Sequence, residues 1–196
     1  MTELFQADDA ALAELIAQHP LAWIVAKSAP ESAALMPMLL ETDAAGRPVA
    51  LLGHLPKAHP IVGALTQTPR ALFLFLGPNA YISPEWLSNK DWGPTWNFAT
   101  AQITADIAFD DALTDEALSK LVAHMEKGRP SPWTIDSLGP RYESLRGRVI
   151  GFRATIKQVS PRFKLGQDEK PTVFAEILRG LGDHPLARWM RRFAGK

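Results

Sequence analysis

Two histidines and a lysine stand close together in Gly53-His54-Leu55-Pro56-Lys57-Ala58-His59-Pro60, just after a short apolar run. Pro56 suits the first position of a helix running to about Leu65, because its missing N–H has no partner to lose there. A helix start offers free N–H groups and the positive end of the helix dipole, so Lys57 beside it makes a phosphate-binding site with His54 as a neighbour. The alternative is structural, with His54 bonded locally and Lys57 solvated. A metal site on His54 and His59 is disfavoured, since zinc takes about three or four ligands and no carboxylate lies close in sequence.

A second group comprises Tyr81-Ile82-Ser83-Pro84-Glu85-Trp86 and Gly93-Pro94-Thr95-Trp96-Asn97-Phe98, with Trp92 between them. Aromatic walls beside hydroxyls and an amide suit a planar heteroaromatic ligand. The same rings equally fill a core or a contact between subunits. A third group, Arg162-Phe163-Lys164-Leu165-Gly166-Gln167, gathers cations and an amide, or forms a solvated turn. No G-x-S-x-G elbow, Walker lysine loop, G-x-G-x-x-G turn or H-E-x-x-H helix occurs, which turns the reading away from hydrolase, nucleoside triphosphatase, Rossmann and metalloprotease chemistry.

These groups need elements to hold them. Asp8 to Ala17 reads as a helix with Leu12, Leu15 and Ile16 on one face, ended by Pro20. Apolar runs at 21–26, 35–40 and 49–53 read as strands separated by turn formers. Arg70 to Leu76 is a buried strand stopped by Gly77-Pro78-Asn79, and Tyr81 to Gly93 an ordered loop. Thr95 to Ile107 alternates as one long strand, and Thr114 to Lys127 is a helix with acidic residues in its first turn. A short helix near Tyr142 to Leu145, a last strand at Val149 to Ile156, and helices at 171–181 and 185–193 complete the chain. This order suggests one domain, mainly β with peripheral α: a closed or half-open antiparallel barrel rather than a parallel α/β sheet.

The 196 residues carry 21 basic and 21 acidic side chains and no cysteine. That excludes disulfides, thiolate metal sites and a cysteine nucleophile, and suits a reducing cytosol. Met1-Thr2-Glu3-Leu4 lacks the basic start of a signal peptide, and no apolar run approaches the roughly 18 residues of a membrane span. A soluble, cytoplasmic protein is expected. The neutral total hides a split: residues 1–140 hold 8 Lys/Arg against 16 Asp/Glu, and residues 141–196 hold 13 against 5. Such a split marks either an anion-binding end or two parts that neutralise each other. The densest basic element is Arg188-Trp189-Met190-Arg191-Arg192 with Lys196; no helix-turn-helix pattern accompanies it, and intramolecular or subunit complementarity is the preferred reading.

The three groups in their order resemble the PaiB family of FMN-binding negative transcriptional regulators. The resemblance rests on Gly53-His54 with Lys57-Ala58 and Pro60, Gly77-Pro78 with Ala80 to Pro84 and Trp86, Pro94-Thr95-Trp96-Asn97, Gly151-Phe152, and Phe163-Lys164-Leu165 with Gln167. It spans roughly residues 1–182. It implies a split β-barrel of the FMN-binding type with C-terminal helices, as a single domain over 1–196 whose segment 160–196 is helical. It implies a homodimer with FMN at the subunit interface, Lys57 on the phosphate, His54 near it, and Trp96 and Asn97 along the flavin. The implied cofactor-binding set is His54, Lys57, Ser83, Thr95, Trp96, Asn97, Gln102, Lys164 and Gln167. Regulation or flavin-dependent sensing is the implied function, with flavin-dependent oxidation or reduction of a small substrate as the alternative and direct DNA contact as a further possibility.

The chain departs from the family pattern at several places. Leu35 stands where members carry His, and Leu76-Gly77-Pro78-Asn79 replaces Gln-Gly-Pro-His. His59 replaces Asn, and Gly166, Asp168 and Glu169 replace Ser, Asn and Arg. An acid in place of a cation beside a phosphate would weaken its binding.

Overall fold

The computed structural model describes residues 3–194. Met1 and Thr2, which entered the leader-peptide reading, and Lys196 of the basic tail lie outside the described residues.

The chain opens with helix α1 (Asp9–Gln18), started by the Asp8 carboxylate, which accepts the Ala11 N–H at 2.7 Å. Seven strands follow: β1 (Leu21–Ala26), β2 (Ala29–Pro37), β3 (Leu39–Thr42), β4 (Pro48–Pro56), β5 (Arg70–Ile82), β6 (Thr95–Phe109) and β7 (Val149–Lys164). They form one antiparallel sheet in the order β2-β1-β5-β6-β7-β4-β3. The two edge strands, β2 and β3, are consecutive in the chain and separated only by the buried Met38, whose N–H donates to the Pro20 carbonyl at 2.8 Å. The sheet therefore curls until its edges meet without pairing, a split barrel.

Apolar side chains from strands that are not neighbours meet inside. Phe73 of β5 lies 6.5 Å from Phe152 of β7, centroid to centroid, with β6 between their strands. Leu12, Leu15 and Ile16 of α1 join this core, as do Ile61 and Leu65 of α2 (Pro60–Gln67). Helix α3 (Leu113–Glu126) lies across β4 and β7 and is followed by α4 (Arg141–Arg146). The last two helices are α5 (Pro171–Leu181) and α6 (Pro185–Phe193). Helix α6 buries Leu186, Ala187, Trp189 and Met190 and leaves Arg188, Arg191 and Arg192 exposed.

Four boundaries differ from the sequence reading. Pro56 ends β4 instead of opening a helix, and the helix starts at Pro60 with His59 as its cap. The run 35–40 is two strands broken at Met38, because the chain there passes from one sheet edge to the other. Strand β5 continues to Ile82 through an irregularity between Leu76 and Asn79, so only Ser83 onward is loop. Strand β7 runs to Lys164, and the segment expected to be helical from residue 160 becomes so only at Pro171. The polar stretch Lys157-Gln158 and Pro161 hid that extension, which pairing with the long β6 imposes.

The charge split is partly resolved within the fold. Arg146 pairs with Asp111 and Asp115, Arg153 with Glu41 and Glu116, Lys157 with Asp106, and Arg192 with Glu14. Each pair joins the basic third to the acidic part. Among the described residues, no helix is long and apolar enough to cross a membrane.

Gly151 fixes the seat of α3: a Cβ there would lie 2.5 Å from the Leu113 carbonyl carbon and 2.6 Å from the Thr114 nitrogen, and its N–H donates to Thr114 Oγ1 at 3.0 Å. Backbone cannot yield as a side-chain tip does. Gly151→Ala is expected to cost about 2 kcal/mol or more. Gly63→Ala, in helix α2 with open space around its Cβ position, should instead stabilise by about 0.5–1 kcal/mol. Urea unfolding of both variants checks the pair; equal effects would contradict this seating of α3.

Candidate functional site

His54 and Lys57 sit at the end of β4. Strand pairing places His54 opposite Gly151, under the start of α3. The ring is half-buried, its Nδ1 is buried without a hydrogen-bond partner, and burial holds its pKa below the ordinary histidine value. Lys57 is exposed, and its ammonium lies 2.9 Å from Asp111 Oδ1. Asp111 also takes the Arg146 guanidinium at 2.5 Å. Arg146 continues to Asp115 at 3.3 Å, and Asp115 accepts the Tyr142 hydroxyl. Burial and the Asp115 bond push the Tyr142 pKa up to about 12. Bonds from Lys57 and Arg146 hold the Asp111 carboxyl below its ordinary range.

The start of α2 is less open to an anion than the sequence suggested. Pro60 has no N–H, the Ile61 N–H donates to His59 Nδ1 at 3.3 Å, and the Val62 N–H donates to the His59 carbonyl at 3.0 Å. At this end the exposed Lys57 side chain, rather than the helix terminus, carries the positive charge open to an anion.

Strand parity decides the fate of the aromatic group. Along β6, Asn97, Ala99, Ala101 and Ile103 point inward, while Trp96 and Gln102 point outward. Trp96 is 53% exposed and meets Tyr81 edge to face at 6.2 Å. Asn97 is 2% exposed and donates to Met190 Sδ at 3.9 Å beneath α6. It belongs to the core and does not share a face with Trp96, with which the resemblance groups it along the flavin. Ser83 caps a 3-10 turn (Pro84–Trp86) by accepting the Glu85 N–H at 3.2 Å. Lys164 donates to Thr95 Oγ1. Gln167 bridges the Phe163 carbonyl and the Leu165 N–H at 2.6 and 2.7 Å, and so shapes the turn after β7.

Eight of the nine candidates thus fall into two clusters, Asn97 and Gln167 lying at the Lys164 end with the four named next. His54 and Lys57 lie near the Gly151 end of β7, and Ser83, Thr95, Trp96 and Lys164 lie near its other end, with Gln102 between on β6. Thirteen positions of β7 separate Gly151 from Lys164, roughly 40 Å of strand path. A cavity of about 680 Å³ between α3 and the segment 133–142 contains none of the nine; Trp133, Tyr142 and Asp115 are among its walls. An apolar groove beside it, about 450 Å³, reaches Pro56 and Arg146.

Two features escaped the sequence reading. The Asp111, Arg146, Asp115 and Tyr142 network joins residues more than 25 positions apart, and only the pair Asp110-Asp111 before a helix hinted at it. The other is an exposed apolar face on the outer side of the sheet: Leu21 and Trp23 on β1, Leu35 on β2, Leu76 and Tyr81 on β5, and Trp96 on β6. Strand β1 is apolar on both faces, so its sequence has no alternation to mark the outer side, and Trp23 is 49% exposed.

Comparison with known proteins follows this geometry. The family model described as "Putative FMN-binding domain" matches residues 2–158. The chain is 28% identical over 145 residues to "Protease synthase and sporulation protein PAI 2" of Bacillus subtilis, covering 71% of this chain and 69% of that protein. Among solved structures it is similar to the flavocytochrome Anf3 of Azotobacter vinelandii, with a TM-score of 0.57 and 15% identity over 82% of this chain and 69% of that one. It is also similar to an FAD- and heme-binding protein of Mycobacterium smegmatis, with a TM-score of 0.58 and 14% identity over 83% of this chain and 74% of that one. At such identities the two structures establish the shared fold.

Burial lowers the pKa of both His54 and His19, so the folded chain takes up fewer protons than the unfolded chain in mildly acid solution. Stability should therefore be full above about pH 6.5, the ordinary histidine value, and fall as pH drops below it. We expect the urea midpoint to decrease from pH 7 to pH 5, with a shallower decrease in His54→Gln. A midpoint that rises over this interval would contradict the burial of these rings.

Proposed function

The chain belongs to the FMN-binding domain family, and from that premise we propose that two copies join through their exposed sheet faces to complete two FMN sites, each drawing on both copies. FMN is the cofactor. The observation that carries the composite site is the separation of the two candidate clusters along β7 together with the apolar face beside one of them. A single flavin is too short to follow that path within one protomer, and an open face with two tryptophans is typical of a covered surface.

The residues fit the group. Lys57 provides the cation a phosphate requires, and the unpartnered His54 Nδ1 beside it has hydrogen-bonding capacity unused within the chain. From the second copy, Trp96 offers an aromatic surface, with Lys164 and Gln102 as polar neighbours on the outer face and Thr95 bonded to Lys164 at the strand end. Asn97 and Gln167 serve as positioning residues: one anchors β6 to α6, and the other sets the turn that follows Lys164. When bound, FMN supplies the redox-active ring. The protein supplies orientation and a charged pocket for the phosphate.

Within this reading the protein is a flavin-dependent regulator or sensor, supported by the family match and by the similarity to the PAI 2 protein. A cytoplasmic location accords with the cysteine-free composition. We assign DNA contact a minor part: Arg188 and Arg191 are exposed on α6, but Arg192 is engaged by Glu14 at 2.6 Å, leaving few cations for a phosphate backbone.

The purified protein should show a flavin absorbance spectrum or acquire one on titration with FMN, and light scattering should give twice the chain mass. Absence of both binding and flavin absorbance would overturn the proposal. Trp23→Asp combined with Trp96→Asp should weaken the dimer at least 100-fold, since one large aromatic anchor is worth about 2 kcal/mol or more. Both side chains are half exposed in one chain, so the variant monomer should keep its fold by circular dichroism.

A further inference from the structure

The cation assigned to the phosphate already has an anionic partner. The Lys57 ammonium lies 2.9 Å from Asp111 Oδ1, while the other carboxylate oxygen of Asp111 is held by Arg146 Nη1 at 2.5 Å. Asp111 is thus fixed from one side and presents its second oxygen to Lys57. The Asp111 side chain remains about half exposed, as does that of Lys57. A dianionic phosphate approaching Lys57 meets a carboxylate of the same sign on the same ammonium.

We propose that Asp111 is an affinity-setting residue of the flavin site, a built-in competitor that the ligand phosphate must displace from Lys57. This rests on the assignment of Lys57 to the phosphate. Two effects act together. The Lys57–Asp111 pair must open for the ammonium to turn to the ligand, and the carboxylate that stays behind, pinned by Arg146, repels the phosphate at short range. The second effect weakens with added salt because the groups are near the surface. The first has a structural counterpart in the backbone: the Lys57 N–H donates to the Arg148 carbonyl at 2.9 Å, so the residue stays anchored while only its side chain swings. The competition acts through the phosphate and is therefore blind to the flavin ring. Asp111 consequently discriminates between FMN and the uncharged riboflavin, lowering the advantage that the phosphate would otherwise confer.

The test is fluorescence titration of the full-length apoprotein with FMN and, separately, with riboflavin, at low and at roughly physiological salt. Asp111→Asn should raise FMN affinity at least threefold at low salt, with a smaller gain at higher salt, and leave riboflavin affinity unchanged. Asp111→Ser provides the same charge removal should the amide form new bonds. Lys57→Met should lower FMN affinity about tenfold or more, and adding Asp111→Asn to it should restore less than Asp111→Asn gains alone. If Lys57→Met leaves FMN affinity intact, the phosphate assignment fails and the competitor role with it. If Lys57→Met weakens binding but neither Asp111 variant strengthens it, or both strengthen riboflavin binding equally, the phosphate assignment stands and the competitor role is wrong.

Discussion

The two-sided ladder of β6 is the constraint on which the rest depends. Fifteen residues long and fourth of seven in the sheet, it bonds to β5 on one side and β7 on the other over most of its length. Successive residues of a strand face opposite ways, so a fixed register assigns every side chain to the core or to the outer face. Asn97 goes under α6 and Trp96 outward for that reason alone. The same ladder stretches β5 and β7 to matching length, and this carries Lys164 to the end of the sheet remote from Lys57.

Much of the architecture was legible because it is local. Asp8 marks the start of α1, the alternation from Thr95 to Ile107 marks β6, and the acidic opening and apolar stripe mark α3 within one residue of its observed ends. What failed depends on partners distant in sequence. Pro56 satisfies the rule for a helix start, yet it pairs with Val149 as the last residue of β4. The tail of β7 carries Lys157, Gln158 and Pro161, and nothing local distinguishes it from loop until β6 is laid alongside. The aromatic group was found, but its division between core and surface follows from parity across a gap in β5 between Leu76 and Asn79. His54 was singled out by residue type alone; its unpartnered Nδ1 follows from the packing around it.

The departures from the family pattern also change meaning once placed. Leu35 and Leu76 put apolar side chains on the exposed sheet face, 46% and 58% exposed, where polar ones are usual. Each lost polar group thus enlarges the exposed apolar face, the one proposed to meet a second copy, and burial of such groups is the main source of association energy. Gly166 sits at φ +83°, with Met190 and Phe174 within 3.2 Å of where a Cβ would stand, so the turn itself calls for glycine. Glu169 accepts the Trp92 indole N–H at 3.1 Å, and within a protomer it lies at the opposite end of β7 from Lys57. Its charge does not act on that lysine inside one chain, and its bond to Trp92 engages part of its capacity at the Lys164 end.

The neutral total charge is best understood as a set of pairs that compete with ligands as well as with water. Exposed ion pairs contribute little to stability, about 1 kcal/mol or less, because solvent screens them. Their arrangement matters more for what they leave available. Arg153 is shared between Glu41 and Glu116, and Arg146 between Asp111 and Asp115, so each acidic group is already committed on at least one side. The carboxylate partner of Lys57 is itself held by a second cation, as Asp106 is by Arg70 beside Lys157. Freeing the lysine leaves Asp111 still bonded to Arg146, though that one guanidinium then serves both Asp111 and Asp115 and the group keeps a net negative charge. A cation that can be released without stranding its partner is well suited to meet an incoming anion, and the network extending to Tyr142 provides that condition at the end of β4.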